Sequence, residues 1–507
     1  MFAQALARTA QIFGNRPAVI SPTGQATWLE FFGQVQSVAH GLRKLGLKPG
    51  DRVAVLAENS VEHLTIMYAV AWAGCVLVPL NTRLSVQEMT QIIEEAGATA
   101  FAGDSKNKHA FLSLAPAVSQ TLELIDLDGN TGLGNSLAEL ADNDGLDPWK
   151  AEMSDIAALF YTGGTTGRPK GVMVSDGALT VQTLNLVNDL SISSKTVYVH
   201  APPIFHLAGA GVAHACSFTG ATHVFPAELS SEIFMRTVTD YRVTLVSLIP
   251  TMLADMMEAP NVGEAFKAVQ TIVYGAAPIS EVLLRKVIGQ CPDVNLVQIY
   301  GQTECTGPCL ILPPERHTLS GSLAGKLNTA GRANMTSEVR IADETGQTAS
   351  PGVAGEILIR GPSVMLGYWK QPEITEQTLK DGWLHTGDVG VMDKDGYVRI
   401  ADRLKDMIVT GGENVFCGEV ENAISEHPDA IACAVVGLPD KKWGERVHAV
   451  VVVTGENTLT DVGLRDHCKT LLAGYKCPRS ATFTTDPLPL SAVGKVRKDV
   501  LRDQITG

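Results

Sequence analysis

The sequence predicts an α/β fold, and three observations carry that expectation. Short β-rich runs alternate with helical stretches from the start to about residue 310. Several of the runs are almost wholly apolar, as strands covered by helices on both faces tend to be. Three of them lead straight into glycine-bearing loops, at residues 162, 275 and 301, and ligands of such folds sit beyond the carboxyl ends of the strands. At 507 residues the chain is too long for one compact core, so two or more lobes are expected.

Taken in order, the opening "MFAQALARTAQIFGNRPAVI" lacks the long apolar stretch and cleavage site of a signal peptide. It reads as a surface helix leading into a strand. Further strands are expected at 51–58, 75–81, 156–162, 196–203, 243–250, 270–278 and 295–304. Residues 120–155 are acidic, glycine-bearing and aperiodic, which suggests a surface connection. After about residue 335 the texture changes to short antiparallel strands, with Asp395 and Gly396 as a hairpin turn. From 402 onward the order strand, helix, two apolar strands, helix suffices for a small separate domain.

Composition narrows the function. Hydrophobic residues at 45% and charged residues at 19% suit a soluble globular enzyme. A formal net charge of −14 argues against general nucleic-acid binding, which needs compensating cations. No apolar run reaches the roughly 18 residues that span a bilayer. The 9 cysteines are scattered, without the paired spacing of a zinc site or a disulfide framework, so a reducing cytoplasm is the expected setting.

The stretch "YTGGTTGRPKG" (161–171) holds the chemistry. Glycines let backbone N–H groups approach an anion, while Thr162, Thr165, Thr166 and Lys170 add hydroxyl donors and positive charge. It is not a Walker A loop, because Lys170 lies three residues past Gly167 and Gly171 stands where the hydroxyl belongs.

The loop resembles the signature of the adenylate-forming (AMP-binding) enzymes, in particular their acyl-CoA synthetase branch. "YGAAP" (274–278), "IYGQTE" (299–304), "GWLHTGDVG" (382–390), "DRLKDMIVTGGENV" (402–415) and "PLSAVGKVRK" (489–498) follow in the family's order. The resemblance implies a large N-terminal part, residues 1–401, of two α/β subdomains plus a small β-barrel. A smaller, mobile α+β C-terminal domain, residues 402–507, would act as a lid. It implies a carboxylic acid, ATP, Mg²⁺ and coenzyme A as reactants and cofactors. A carboxylate attacks the α-phosphate of ATP, and a thiol then displaces AMP. A homodimer is compatible with the sequence.

Residue by residue, the resemblance puts Thr162 and Glu304 on Mg²⁺. Gly163, Gly164, Thr165, Thr166, Gly167 and Lys170 would cradle the phosphates. Gly275, Ala276 and Ala277 would wall the adenine site, with Tyr300 stacked on the base beside Gly301, Gln302 and Thr303. Asp388, helped by Arg403, would hold the ribose. Lys495 would bridge the substrate carboxylate and the α-phosphate. Asp402 would be the hinge. Gly411 and Gly412 would line the pantetheine tunnel, with Trp443 against it and Lys476 and Arg479 on the CoA phosphates. Two departures stand out: Gly163 replaces a common serine, and Cys477 sits where some relatives carry a cation.

The acyl pocket of such enzymes lies near "PPIFHLAGAG" (202–211), with His206, Gly209, Gly275 and Gly301 as its expected lining. The stretch is apolar and free of acidic side chains, whereas a substrate ammonium would need a buried partner. A fatty or aromatic acid is therefore expected, with Gly209 and Gly211 leaving it space. The chain ends 12 residues after Lys495, so free CoA is the expected acceptor, ahead of a separate carrier protein or a luciferase-like oxygenation.

Overall fold

A computed structural model describes residues 2–118, 122–141, 147–162, 169–259, 261–277, 279–404, 406–454, 459–490 and 496–506. Among these, two large sheets form the N-terminal part. One runs Gly367–Tyr368, Lys170–Ser175, Ile156–Thr162, Val76–Pro79, Arg52–Leu56, Ala98–Gly103, Glu123–Asp126, Asn135–Ser136. Its strands are parallel from Ile156–Thr162 onward, as the apolar runs predict. The other carries Leu245–Leu248, Thr271–Gly275 and Asn295–Gln302 as adjacent parallel strands. Gly307–Leu312 adds in antiparallel register, with Arg332–Ala333 at the edge.

Two expectations need correction. Residues 120–155 are not a bare connection, because Glu123–Asp126, Asn135–Ser136 and the helix Leu137–Leu140 extend the first sheet. Asp126 holds the turn between them by accepting the N–H groups of Thr131 and Gly132, a device that leaves no periodic trace in sequence. Strand ends also overran: 196–203 contains only Val197–Val199, after which prolines 202 and 203 stop the ladder.

The third sheet, Glu338–Ala342, Ala354–Arg360, Trp383–Met392 and Leu379–Lys380, with Val398–Arg403 on Trp383–Met392, is antiparallel. Its hairpin turn is fixed by Asp393, whose carboxylate accepts the N–H groups of Asp395 and Tyr397. One apolar core runs from Leu6 through the first sheet to Leu384 and Val398, so barrel and sheets are packed as a unit. Beyond it, Ile408, Val420, Val435, Val447, Val451 and Leu464 form a core of their own on the sheet Glu413–Val415, Ile408–Thr410, Gly444–Val452, Ala432–Asp440.

Candidate active site

The glycine-threonine loop joins two antiparallel strands, Ile156–Thr162 and Lys170–Ser175, with Thr162 directly opposite Lys170. Gly163, Gly164, Thr165, Thr166 and Gly167 lie outside the described residues. The return strand was not foreseen, because Lys170 and Gly171 mask the start of its apolar pattern. Behind the hairpin, Tyr368 pairs with Val172, and the Lys170 ammonium lies 5.1 Å from the Tyr368 ring centroid. The Tyr368 hydroxyl donates to Glu304 Oε1 at 2.9 Å. Lys170, which faces Thr162 in the ladder, and Glu304 thus meet at one side chain, Tyr368, which the sequence reading missed. Its signal was the "GYW" that follows the barrel strand.

The donor set fits Mg²⁺. The Thr162 hydroxyl and Glu304 carboxylate are hard oxygen donors, and Mg²⁺ takes one or two carboxylates plus phosphates and waters. Among the described residues no group of three or more His, Cys, Asp or Glu side chains could hold a metal alone. The phosphates of ATP would therefore complete the shell.

A second cluster centres on Asp388, buried in the strand Trp383–Met392 and paired with Arg403 across the barrel ladder. Asp388 Oδ2 accepts from the Tyr300 hydroxyl at 2.7 Å and from Gln302 Nε2 at 2.9 Å. Oδ1 lies 3.3 Å from Arg403 Nε. Burial, then the Asp388 charge, push the Tyr300 phenol well above its ordinary range, so it stays a donor. Tyr300, expected as a stacking platform, has its hydroxyl committed to the carboxylate.

The glycines have packing reasons. A Cβ on Gly275 would meet the Ile299 carbonyl at 2.2 Å, and one on Gly301 the Gly307 carbonyl at 1.8 Å. Both let neighbouring strands close. Ala276 sits in the left-handed region at φ +64°, a conformation that costs an L-residue about 1–2 kcal/mol, and Ala277 follows it. Such strain collects at sites that need a fixed backbone. Thr303 and Glu304 lie in the short turn Thr303–Cys305 after the strand.

His206 precedes the helix Leu207–Thr219, its ring 4.7 Å from Phe205. The loop before it is clamped by Asn59, which donates to the Pro202 carbonyl at 2.9 Å and accepts from Ile204 N–H at 2.8 Å. No sequence signal marked Asn59. A Cβ on Gly209 would meet the Pro203 and Pro202 carbonyls at 2.4 and 2.6 Å, and one on Gly211 would meet the Leu186 side chain at 3.0 Å. Neither glycine opens a void on that side. Behind this wall lies a buried polar chain, in which His200 Nε2 meets His223 Nδ1 at 2.9 Å and His223 Nε2 meets Ser217 Oγ at 3.1 Å. Tyr68 OH meets His214 Nδ1 at 3.1 Å. Burial lowers all these histidines, His214 and His223 to about 3.

In the C-terminal part, Gly411 takes φ +63° and a Cβ there would meet the Trp443 ring at 2.8 Å; Gly412, at φ +85°, has open space. The Arg479 guanidinium and Lys442 ammonium flank the Trp443 ring at 4.5 and 4.7 Å. Lys476 is held by both oxygens of Glu419, at 2.7 and 2.8 Å, so its charge is already paired. Lys495 lies outside the described residues. Arg497, two residues on, pairs with Asp499 at 2.7 Å, while Glu88 stands at the start of the helix Val86–Ala96. The other end of that helix touches the site wall, where Gln371 donates to both Glu95 and the Pro169 carbonyl.

Residues 6–369 match the family described as AMP-binding enzyme, and residues 419–495 match the AMP-binding enzyme C-terminal domain. The chain is 35% identical to a feruloyl-CoA synthase of Amycolatopsis sp., covering 98% of this chain and 97% of the relative. It is 33% identical to a fatty acid–[acyl-carrier-protein] ligase, ScoC, of Streptomyces coeruleorubidus, over 98% of this chain and 95% of that one. Among solved structures, o-succinylbenzoate CoA synthetase (MenE) of Bacillus subtilis, in complex with its acyl-adenylate intermediate OSB-AMP, superposes with a TM-score of 0.85 at 29% identity, covering 99% of this chain and 98% of that one. No helix among the described residues is long and apolar enough to cross a membrane.

Proposed function

The chain belongs to the AMP-binding enzyme family and is an ATP-dependent carboxylate–CoA ligase acting through an acyl-adenylate; within that activity we propose how its residues divide the work and which acids it takes. The observation that carries the division is the meeting of the hairpin, Glu304 and the Asp388 cluster at the strand ends. Asp388 grips the ribose with Oδ1, shared with Arg403, because Oδ2 is already taken by Tyr300 and Gln302. Ala276 and Ala277 present backbone to the base.

The first half-reaction brings a carboxylate to a polyphosphate, so neutralising charge dominates its barrier. Mg²⁺, when bound, supplies part of that neutralisation, held by Thr162 and Glu304. Lys170 adds a cation at the hairpin mouth. Lys495 bridges the incoming carboxylate and the α-phosphate. A unit charge at about 4 Å is worth on the order of 4 kcal/mol at an effective dielectric near 20. Removing it lowers adenylation roughly a hundredfold to a thousandfold.

Residues 402–507 act as a lid turning about Asp402, so that Lys495 leaves and the face bearing Gly412 and Trp443 arrives for the thiol. Two observations support this: the separate apolar core beyond residue 408 and the placement of Asp402 between the two parts. The acid is aromatic or fatty. The apolar stretch 202–211 and the likeness to a feruloyl-CoA synthase support that class. Delivery to a carrier protein is the second reading, favoured by the likeness to ScoC.

The test is pyrophosphate release over cinnamic, benzoic and fatty acids with CoA present. We expect turnover with at least one aromatic or fatty acid, AMP as product, and thioester on CoA. ADP as product, or adenylation with no CoA thioester, would reject the reading. Lys495→Ala should lose adenylation yet still convert supplied acyl-adenylate to thioester; equal loss of both steps rejects the lid.

A further inference from the structure

We propose that Tyr368 is a positioning residue for nucleotide activation, orienting the Glu304 carboxylate so that Oε2 faces the magnesium of MgATP; this rests on the reading of Glu304 as a metal ligand. Three sets of contacts fix the tyrosine before any ligand arrives. Its backbone pairs with Val172 in the sheet. Its N–H donates to Thr375 Oγ1 at 2.8 Å, within the helix Pro372–Thr378. Gly367, at φ +139°, lets that helix approach, since a Cβ there would meet the Thr375 side chain at 2.6 Å. With the ring locked and 5% exposed, the phenol has one firm acceptor, Glu304 Oε1 at 2.9 Å.

A carboxylate has two oxygens and free rotation, and a metal ligand gains from having that freedom removed in advance. Among the described residues only Oε1 of Glu304 is engaged, which leaves Oε2 for the cation. Lys170, over the same ring, ties the phosphate-facing hairpin to this element. The tyrosine's effect passes through Glu304, which its hydroxyl contacts.

The test is a double-mutant cycle read by calorimetric binding of ATP at a series of Mg²⁺ concentrations, well below each variant's melting midpoint. Tyr368→Phe should raise the half-saturating Mg²⁺ about tenfold, the size of one charge-assisted hydrogen bond. ATP affinity in the presence of EDTA should not change. Glu304→Gln should raise the Mg²⁺ requirement further, and the double variant should match Glu304→Gln alone. A wild-type Mg²⁺ requirement in Tyr368→Phe, with Glu304→Gln impaired, overturns the inference and leaves the metal reading standing. Additive losses in the double variant also overturn it. A wild-type Mg²⁺ requirement in Glu304→Gln overturns the metal reading itself. Equal melting midpoints for Tyr368→Phe and wild type exclude a loss through unfolding; if they differ, Thr375→Val, which removes the acceptor of the Tyr368 N–H, should shift the Mg²⁺ requirement the same way.

Discussion

Asp402 pairs with Val389 in the barrel ladder while its carboxylate accepts the backbone N–H of Cys417 at 2.6 Å. Cys417 opens the helix Cys417–Ser425 of the following core, so one side chain caps an element of the second part from a strand of the first. Asp402→Pro removes the cap and fixes φ. Pyrophosphate release should persist, while conversion of acyl-adenylate to thioester slows about tenfold or more. Rapid-quench assays of the separate steps measure this, and unchanged thioester formation would rule out a pivot at that residue.

Asp388→Asn leaves Arg403 facing a neutral group and breaks the charge-assisted bonds from Tyr300 and Gln302. KM for ATP should rise about ten- to a hundredfold, by the worth of one or two hydrogen bonds to a charge. Tyr300→Phe, which keeps the carboxylate, should do less. Steady-state kinetics at saturating acid separate the two, and equal effects would point to the base rather than the ribose.

Lys476 is already neutralised by Glu419. If it meets CoA phosphates, Glu419→Gln should free it and lower KM for CoA about two- to threefold, whereas Lys476→Ala raises it. ATP kinetics should stay unchanged in both. A higher KM for CoA in Glu419→Gln would mean that the pair serves only the fold.

The buried histidines give the protein an acid edge. Burial lowers His63 to about 4 and His214 and His223 to about 3, from 6.5. Below about pH 6.5 the unfolded chain takes up protons that the folded one refuses, so stability falls as pH drops toward 4 and is fully present above 6.5. Each such histidine contributes up to about 1.4 kcal/mol per pH unit within that window. Melting curves between pH 7.5 and 4.5 should show the fall, and His63→Leu should flatten it. An unchanged slope in that variant would remove His63 from the account.

Much of this was legible in the sequence, and the misses have physical reasons. The strand 156–162 came out with the observed bounds, because an unbroken apolar run is decisive when both faces are covered. The two-residue strand Asn135–Ser136 could not, since two residues carry no period. Glu304, Asp388 and Arg403 are expected from the resemblance their motifs carry, and the structure sets Arg403 beside Asp388. Tyr368 and Asn59 were not, because each acts on residues distant in sequence: Tyr368 on Glu304, Asn59 on the Pro202 loop. Side-chain partners such as Glu419 for Lys476 are likewise long-range facts.

Gly209, pressed beneath the carbonyls of Pro202 and Pro203, bears on any attempt to redesign acid preference. Swapping it for alanine or valine would not shorten the accepted chain in the manner of a plug. It would lift the proline-bearing segment off the helix and loosen Asn59's hold, so any change in acid preference would come from a displaced loop. Efforts to steer this ligase toward smaller or larger acids are better aimed at side chains that face the substrate than at a glycine whose absent methyl is what lets the wall stand.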